Sequence, residues 1–290
     1  MVPLAQLLQH ADERRVAIGH FNASDLVTLD GIVQAAQQLG TPVVVGASEA
    51  ERQFIGVRRL VAIIRTLREE VGVPVFLNAD HTHSLARALE AARNGFDWVV
   101  CDFSSLPFEE NVRQTKQAVQ ALKAIRPEIL VEGEIGDIGT GSQIHDARPA
   151  AHGALTTPEE AADFVRETGI DTLAPAVGNM HGVLRSMLSG GERKRLDIER
   201  IRRIKERARI FMTLHGGSDT NDGDLRQAIS AGMTVVHINT EIRLAWRRGL
   251  EESLARQKTD IAPYTILAPA VESVKRVVLA RLALFDGRAA

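Results

Sequence analysis

The chain alternates short, nearly continuous apolar runs with longer segments whose apolar residues recur at helical spacing. Eight runs stand out: Val16–Asn22, Pro42–Ala47, Pro74–Ala79, Asp97–Asp102, Ile129–Glu134, Asp171–Val177, Arg209–His215 and Thr234–Asn239. Most are rich in β-branched residues, and a run that is apolar throughout suits a parallel strand covered on both faces. Between them, Leu26, Leu29, Ile32, Val33 and Ala36 recur at helical spacing, as do Ala86, Leu89 and Ala92 and then Val112, Ala118, Val119 and Leu122. Thr156-Thr157-Pro158-Glu159-Glu160 reads as a helix start, with a threonine cap, a proline in the first turn and acids at the positive end of the dipole. Gly40, Gly72, Gly95, Gly169 and Gly232 each close a helical segment before the next run.

Eight strand–helix units over 290 residues predict an α/β chain folded as a (β/α)8 TIM barrel, a single domain over residues 1–290. An open doubly wound sheet is the competing reading, but no G-x-G-x-x-G follows the first run. After the eighth run a helix is expected over Glu241–Leu254. An additional C-terminal helix, Val271–Leu284, carries an apolar stripe available to a partner subunit.

Charge narrows the function classes. Lys plus Arg number 35 and Asp plus Glu 37, a net charge of -2, which gives no electrostatic reason to expect nucleic acid as a partner. The basic cluster Arg200, Arg202, Arg203, Lys205, Arg207 and Arg209 reads as a solvated helix face. No run approaches the ~20 apolar residues of a membrane span. The opening residues lack the basic and apolar blocks of a signal peptide. The single cysteine, Cys101, lies in the apolar run Trp98-Val99-Val100-Cys101 and reads as a buried thiol. A cytoplasmic location is the expectation.

Polar residues collect where barrel strands end, which is where such barrels keep their chemistry. The first strand ends in His20-Phe21-Asn22, the second near Ser48, the third in Asp80-His81 and the fourth in Asp102. The fifth contains Glu132 and Glu134, and Asn179-Met180-His181-Gly182 follows the sixth. The seventh ends in His215-Gly216-Gly217-Ser218, and the eighth carries His237, Asn239 and Thr240. Three imidazoles, His81, His181 and His215, with carboxylates nearby make an open zinc centre one reading; satisfied core histidines are the other. Gly216-Gly217-Ser218 and Asn239-Thr240 occupy the two loops where barrels often hold phosphate, with Gly182 and Arg185 as further donors. A tight turn that needs glycine is the alternative there.

Four motifs together resemble the class II, metal-dependent fructose/tagatose-bisphosphate aldolases: Asn78-Ala79-Asp80-His81, Val131 to Gly136, Ala176 to Gly182, and Leu214 to Ser218. Leu106-Pro107-Phe108-Glu109-Glu110-Asn111 and Thr156 to Ala161 fit as well, and the resemblance runs from Leu4 to Leu284. It implies cleavage of a phosphorylated ketose, fructose 1,6-bisphosphate by default, to dihydroxyacetone phosphate and an aldehyde through a metal-stabilised enediolate. Tagatose bisphosphate or a ketose monophosphate are alternative substrates. A non-catalytic sugar-phosphate sensor and a zinc hydrolase are the readings from other classes.

The resemblance further implies a divalent metal, zinc first, on His81, His181 and His215 with Glu134 beside it, and leaves room for a monovalent cation. Asp80 matches the aspartate that moves the proton of the C4 hydroxyl. Gly182, Gly216, Ser218 and Thr240 match phosphate positions; Gly217 and Asn239 from the same two loops, and Asn22 and Ser48 from the strand ends, join them as phosphate or substrate contacts. Family members are homodimers or homotetramers. Several positions depart from the pattern. Arg185 stands for a phosphate-binding lysine, His237 for an asparagine that touches the reactive end of the substrate, and Asp219 for a glycine. The loop after the fifth strand lacks the usual acids, leaving Asp137, His145 and Asp146 as substitutes for the enolisation base.

Overall fold

The computed structural model describes residues 2–139, 141–146, 155–191 and 193–288. Each of the eight expected runs forms a strand: β1 (Ile18–Asn22), β2 (Val43–Ala47), β3 (Val75–Thr82), β4 (Trp98–Cys101), β5 (Leu130–Ile135), β7 (Thr172–Pro175), β9 (Phe211–Leu214) and β10 (Met233–Ile238). They pair in parallel and close into a barrel in the order β1-β10-β9-β7-β5-β4-β3-β2. The remaining pair, β6 (Ile144–His145) and β8 (Val183–Leu184), lies in the loops above the barrel.

Helices α2 (Leu26–Leu39), α4 (Val57–Glu70), α5 (Leu85–Asn94), α6 (Phe108–Ile125), α7 (Pro158–Thr168), α9 (Ile198–Ala208), α10 (Asp222–Ala231) and α11 (Thr240–Arg256) return the chain between strands. The start of α7 is as the sequence predicts: Thr157 and Glu160 cap each other's backbone, and Gly169 at φ 70° ends the helix. Apolar side chains of strands and helices form one continuous shell from Ala17 to Phe285. Each fully buried Val, Leu or Ile in it is worth about 1.5–3 kcal/mol relative to exposure.

Two helices finish the ends. α1 (Leu4–Arg14) packs Leu4, Leu8 and Ala11 with Ile18, Val44, Phe76, Trp98, Leu130 and Val235, which lie among the first three residues of six strands, and so floors the barrel. α12 (Pro263–Phe285) is longer than expected. Its stripe, left by the sequence for a partner, is spent within the chain: Val274, Val278 and Leu282 are buried. Val274 sits so close to Gly31 of α2 that an added Cβ there would meet it at 2.6 Å. Half of the basic cluster on and just after α9 is paired, Arg200 with Asp197, Arg202 with Glu199 and Lys205 with Asp12.

Two short helices, α3 (Glu49–Ile55) and α8 (Arg185–Leu188), were not expected. α3 carries Glu51 and Arg52, both buried. Arg52 donates to the carbonyls of Ala47 and Asp80 at 2.7 and 3.1 Å and to the Thr82 hydroxyl at 3.1 Å, tying the upper ends of β2 and β3 together.

Candidate active site and metal centre

Adjacent residues of a strand face opposite sides, so Asp80 and His81 reach one site only if the strand breaks its alternation. It does: the β3–β4 register shifts between Ala79 and Thr82, and His81 has φ 38°, left-handed for a non-glycine residue. His81 Nε2 then lies 3.0 Å from His181 Nε2 and 3.3 Å from His215 Nδ1. Tetrahedral zinc with nitrogens at about 2.0–2.1 Å spaces its ligands by about 3.3 Å. The donor set fits a divalent metal on chemistry and spacing.

The far nitrogen of each imidazole is anchored. His81 Nδ1–H donates to Asp102 Oδ2 at 2.8 Å, His181 Nδ1–H to the Gly139 carbonyl at 2.8 Å, and His215 Nε2–H to Glu132 Oε1 at 2.6 Å. Such partners fix the tautomer and aim the free nitrogen at the ion. Burial first, then the charge of His81, pushes His181 and His215 down to about 3, so both are neutral and ready to ligate. Burial opposes the charge on His81, but Asp80, Asp102 and Glu134 outweigh it and hold that ring at about 10 in the metal-free protein. Glu134 Oε2 is buried without a hydrogen bond, 3.3 Å from His215 Nδ1. Burial and then Asp102 hold its carboxyl well above the usual carboxylate range.

Asp80 is the carboxylate beside this triangle. Asn22 Nδ2 donates to its Oδ2 at 2.9 Å, while Oδ1 has no hydrogen-bond partner and faces His237 Nδ1 at 3.5 Å. Burial disfavours its charge, but His81, His237 and His20 outweigh that and keep it ionised. His237 stacks flat on His20, ring centres 3.4 Å apart, and on His215 at 4.1 Å. The stack fits because residue 46 is glycine: a Cβ there would lie 2.1 Å from the His20 ring. Burial and the neighbouring imidazoles hold His237 well below its usual value, so it is a neutral ring at this wall.

Asn22, Asp80, His81, His181, Gly182, Gly216, Ser218, His237, Asn239 and Thr240 line one small cleft, with Ser142. Among the described residues no hydrogen bond occupies the backbone N–H of Gly182, Gly216 or Ser218. Gly216 has φ 63°, and a Cβ there would collide with the Met180 carbonyl at 2.3 Å. Thr240 opens α11, so a helix N-terminus, favourable to an anion, faces the same cleft. A wider cleft of about 360 Å³ continues past Ser48, Glu49, His83 and Arg243.

Other expected residues stand elsewhere. Arg185 is 68% exposed and paired with Asp146 at 2.7 Å, away from the cleft lining. Gly217 packs on Val236 and the His237 carbonyl instead of lining the cleft. Ser48 lines only the wider cleft, where it caps α3 and bonds Glu51. Asp219 adopts φ 57°, a left-handed conformation that glycine takes more readily, and its carboxylate turns to Arg193 at 3.7 Å. Of the loop candidates, Asp137 binds the Gly139 N–H and His145 lies in β6; Thr140 of that loop lies outside the described residues.

Sequence reasoning gave no role to Glu132 and Asp102, which it placed among the polar strand ends, and missed Glu51 and Lys194 altogether. Glu132 and Asp102 aim the metal nitrogens. Glu51 joins Asn22 at 2.9 Å to Arg243 at 2.7 Å, and Arg243 donates onward to the Ser142 carbonyl at 3.1 Å. Lys194 is fully buried beneath the loops that follow β7 and β9. Two of them left a signal: Asp102 as the polar end of the fourth run, and Glu132 by its two-residue spacing from Glu134, which places both on one strand face.

The family model for class II fructose-bisphosphate aldolase matches residues 2–288. The fructose-bisphosphate aldolase of Thermus caldophilus is 33% identical over 307 residues, covering 98% of each chain. The sulfofructosephosphate aldolase of Alkalicoccus urumqiensis is 32% identical over 248 residues, 86% of this chain and 83% of its own. Among solved structures, the YdjI aldolase of Escherichia coli K12 superposes with a TM-score of 0.82 at 27% identity, covering 97% of this chain and 96% of its own. A chain from Coccidioides immitis superposes at 0.83 with 28% identity, covering 99% of this chain and 96% of its own. The barrel, the cleft and these matches agree: the chain belongs to the class II fructose-bisphosphate aldolase family.

Proposed function

We propose that this chain is a zinc-dependent aldolase that cleaves a phosphorylated ketose, fructose 1,6-bisphosphate by default, to dihydroxyacetone phosphate and an aldehyde. The observation that carries the reading is the unpartnered Asp80 Oδ1 beside three anchored histidines, in a cleft that also holds the free amides of Gly182, Gly216 and Ser218. The metal is assigned to His81, His181 and His215, with Glu134 adjacent. When bound, a divalent ion supplies a Lewis acid that draws electron density from a ketone and its neighbouring hydroxyl.

The chain's own groups do the rest. Asp80, ionised and held by Asn22, takes the C4 hydroxyl proton as the C3–C4 bond breaks and the aldehyde forms; the bond's electron pair passes into the enediolate of the three-carbon half, which takes up one proton at C3 to become dihydroxyacetone phosphate. The amides of Gly182 and Gly216, with Ser218, Asn239 and Thr240, bind the phosphate on the three-carbon half. His237 presents a neutral ring to the reactive end. The Ser48–Arg243 cleft receives the other end of the sugar, and its breadth supports testing tagatose bisphosphate and ketose monophosphates beside the default.

The same proposal reads the chain as one domain, cytoplasmic, and a homodimer or homotetramer. In support, one core shell spans the strands and helices, and no helix among the described residues is long and apolar enough to cross a membrane. The test is release of dihydroxyacetone phosphate from a panel of ketose phosphates, by metal-loaded and chelator-stripped protein and by Asp80→Ala. Metal-dependent release from one ketose, lost in Asp80→Ala with metal still bound, is the expected result. No release from any ketose by metal-loaded protein overturns it and leaves the sensor and hydrolase readings.

A further inference from the structure

Lys194 is among the largest side chains wholly buried in the chain. Its backbone is fastened to the segment after β9: its N–H donates to the Asp219 carbonyl at 3.3 Å, and its carbonyl accepts from Asn221 N–H at 3.2 Å. Its side chain passes under the loops that follow β7 and β9. There Nζ donates to the carbonyls of Met180 at 2.8 Å, Gly182 at 2.5 Å and Gly216 at 3.0 Å. An ammonium has three donors and no acceptor, and the described residues set three carbonyls against it.

Carbonyl rings of this kind take the place of water around an alkali cation. Burying a positive charge without such oxygens is prohibitive. Met180 and Gly182 flank His181 in sequence, and Gly182 and Gly216 line the cleft. We propose that the Lys194 ammonium is a resident monovalent cation. It pins the two phosphate loops together and places a fixed positive charge beneath the bound phosphate, so the chain needs no K⁺ or Na⁺ at this point. This rests on the reading of the cleft as a phosphate site. It assigns the monovalent cation, for which the sequence left room, to a side chain.

The test is binding of inorganic phosphate to metal-loaded protein in choline, sodium, potassium and ammonium chloride at one ionic strength. Wild type should bind equally well in all four. Lys194→Met should lose about tenfold or more in choline, the scale of a lost charge-assisted hydrogen bond. Potassium or ammonium should restore part of the loss, and thallium-soaked crystals of the variant should show the heavy ion between the three carbonyls. Lys194→Gln serves as a second variant, and the wild-type series stands without either.

A wild type that needs potassium overturns the proposal. So does a folded variant that binds phosphate normally in choline, or one whose loss no monovalent cation repairs. Failure of wild type to bind phosphate in any salt is a different result: it removes the phosphate-site reading, and this inference falls with it.

Discussion

Replacing Glu132 by glutamine keeps the shape of the side chain and removes its charge. Glu132 is fully buried in the barrel. Its Oε1 accepts from His215 at 2.6 Å, and its Oε2 accepts the hydroxyls of Thr172 and Thr213 at 2.9 and 2.6 Å. An amide has only one oxygen. Facing the hydroxyls, it would turn its NH2 on His215 Nε2, which must then accept and move its proton to Nδ1, the ligating nitrogen. Facing His215, it preserves the tautomer, and the hydroxyls must turn to accept. That arrangement still exchanges a charge-assisted bond of about 1.5–3 kcal/mol for a neutral one near 1. The gap is about tenfold or more in affinity, and lost outer partners of metal ligands range over about 10–100-fold.

Metal affinity of Glu132→Gln should therefore fall about 10–100-fold in competition with a chromogenic chelator at fixed pH. The metal-free protein should behave oppositely. Burial, the largest influence on Glu132, already works against its charge and raises its pKa. The neutral amide is relieved of that cost, so metal-free Glu132→Gln should melt no lower than wild type. Wild-type metal affinity in the variant would refute the argument that Glu132 prepares His215. A large drop in metal-free Tm would show that the carboxylate serves the fold first.

Two further outcomes follow from packing. Leu282→Ala, which empties a site where α12 meets the backbone of Gly19, should cost about 2–5 kcal/mol in denaturant unfolding; a loss below about 1 kcal/mol would mean that α12 is not part of the core. Burial pushes the Cys101 thiol up to about 12, so the native protein should leave an aromatic disulfide reagent unreacted at mildly alkaline pH and release one equivalent once unfolded. Rapid reaction of the native protein would contradict the buried position.

The barrel was legible because parallel strands covered on both faces spell nearly unbroken apolar runs. The run ends were less so: Val16 and Ala17 are apolar but lie before the first ladder residue of β1. α3 was invisible because Glu51 and Arg52 are charged and short-range pattern sends such residues to the surface. They are buried for reasons distant in sequence, the side chains of Asn22 and Arg243 and the Asp80 carbonyl. The three histidines were legible as polar ends of apolar runs. Lys194 was not, since Gly190-Gly191-Glu192-Arg193-Lys194-Arg195 has the composition of a solvated turn and nothing local separates one of its cations from the others. Arg185 shows the converse: a fitting residue at a fitting place, drawn outward by Asp146.

The floor laid by α1 makes the barrel a cup and not a pipe. With Leu4, Leu8 and Ala11 sealing the base, entry is from the rim, past Gly182, Ser218 and Asn239 or through the wider cleft by Ser48 and Arg243. The histidines lie below that rim, so on the proposed reading a bound sugar phosphate is also a stopper. Filling then has a fixed sequence, cation before sugar. Loss of the cation to a chelator becomes an event of the empty enzyme, confined to the interval between one product leaving and the next substrate arriving.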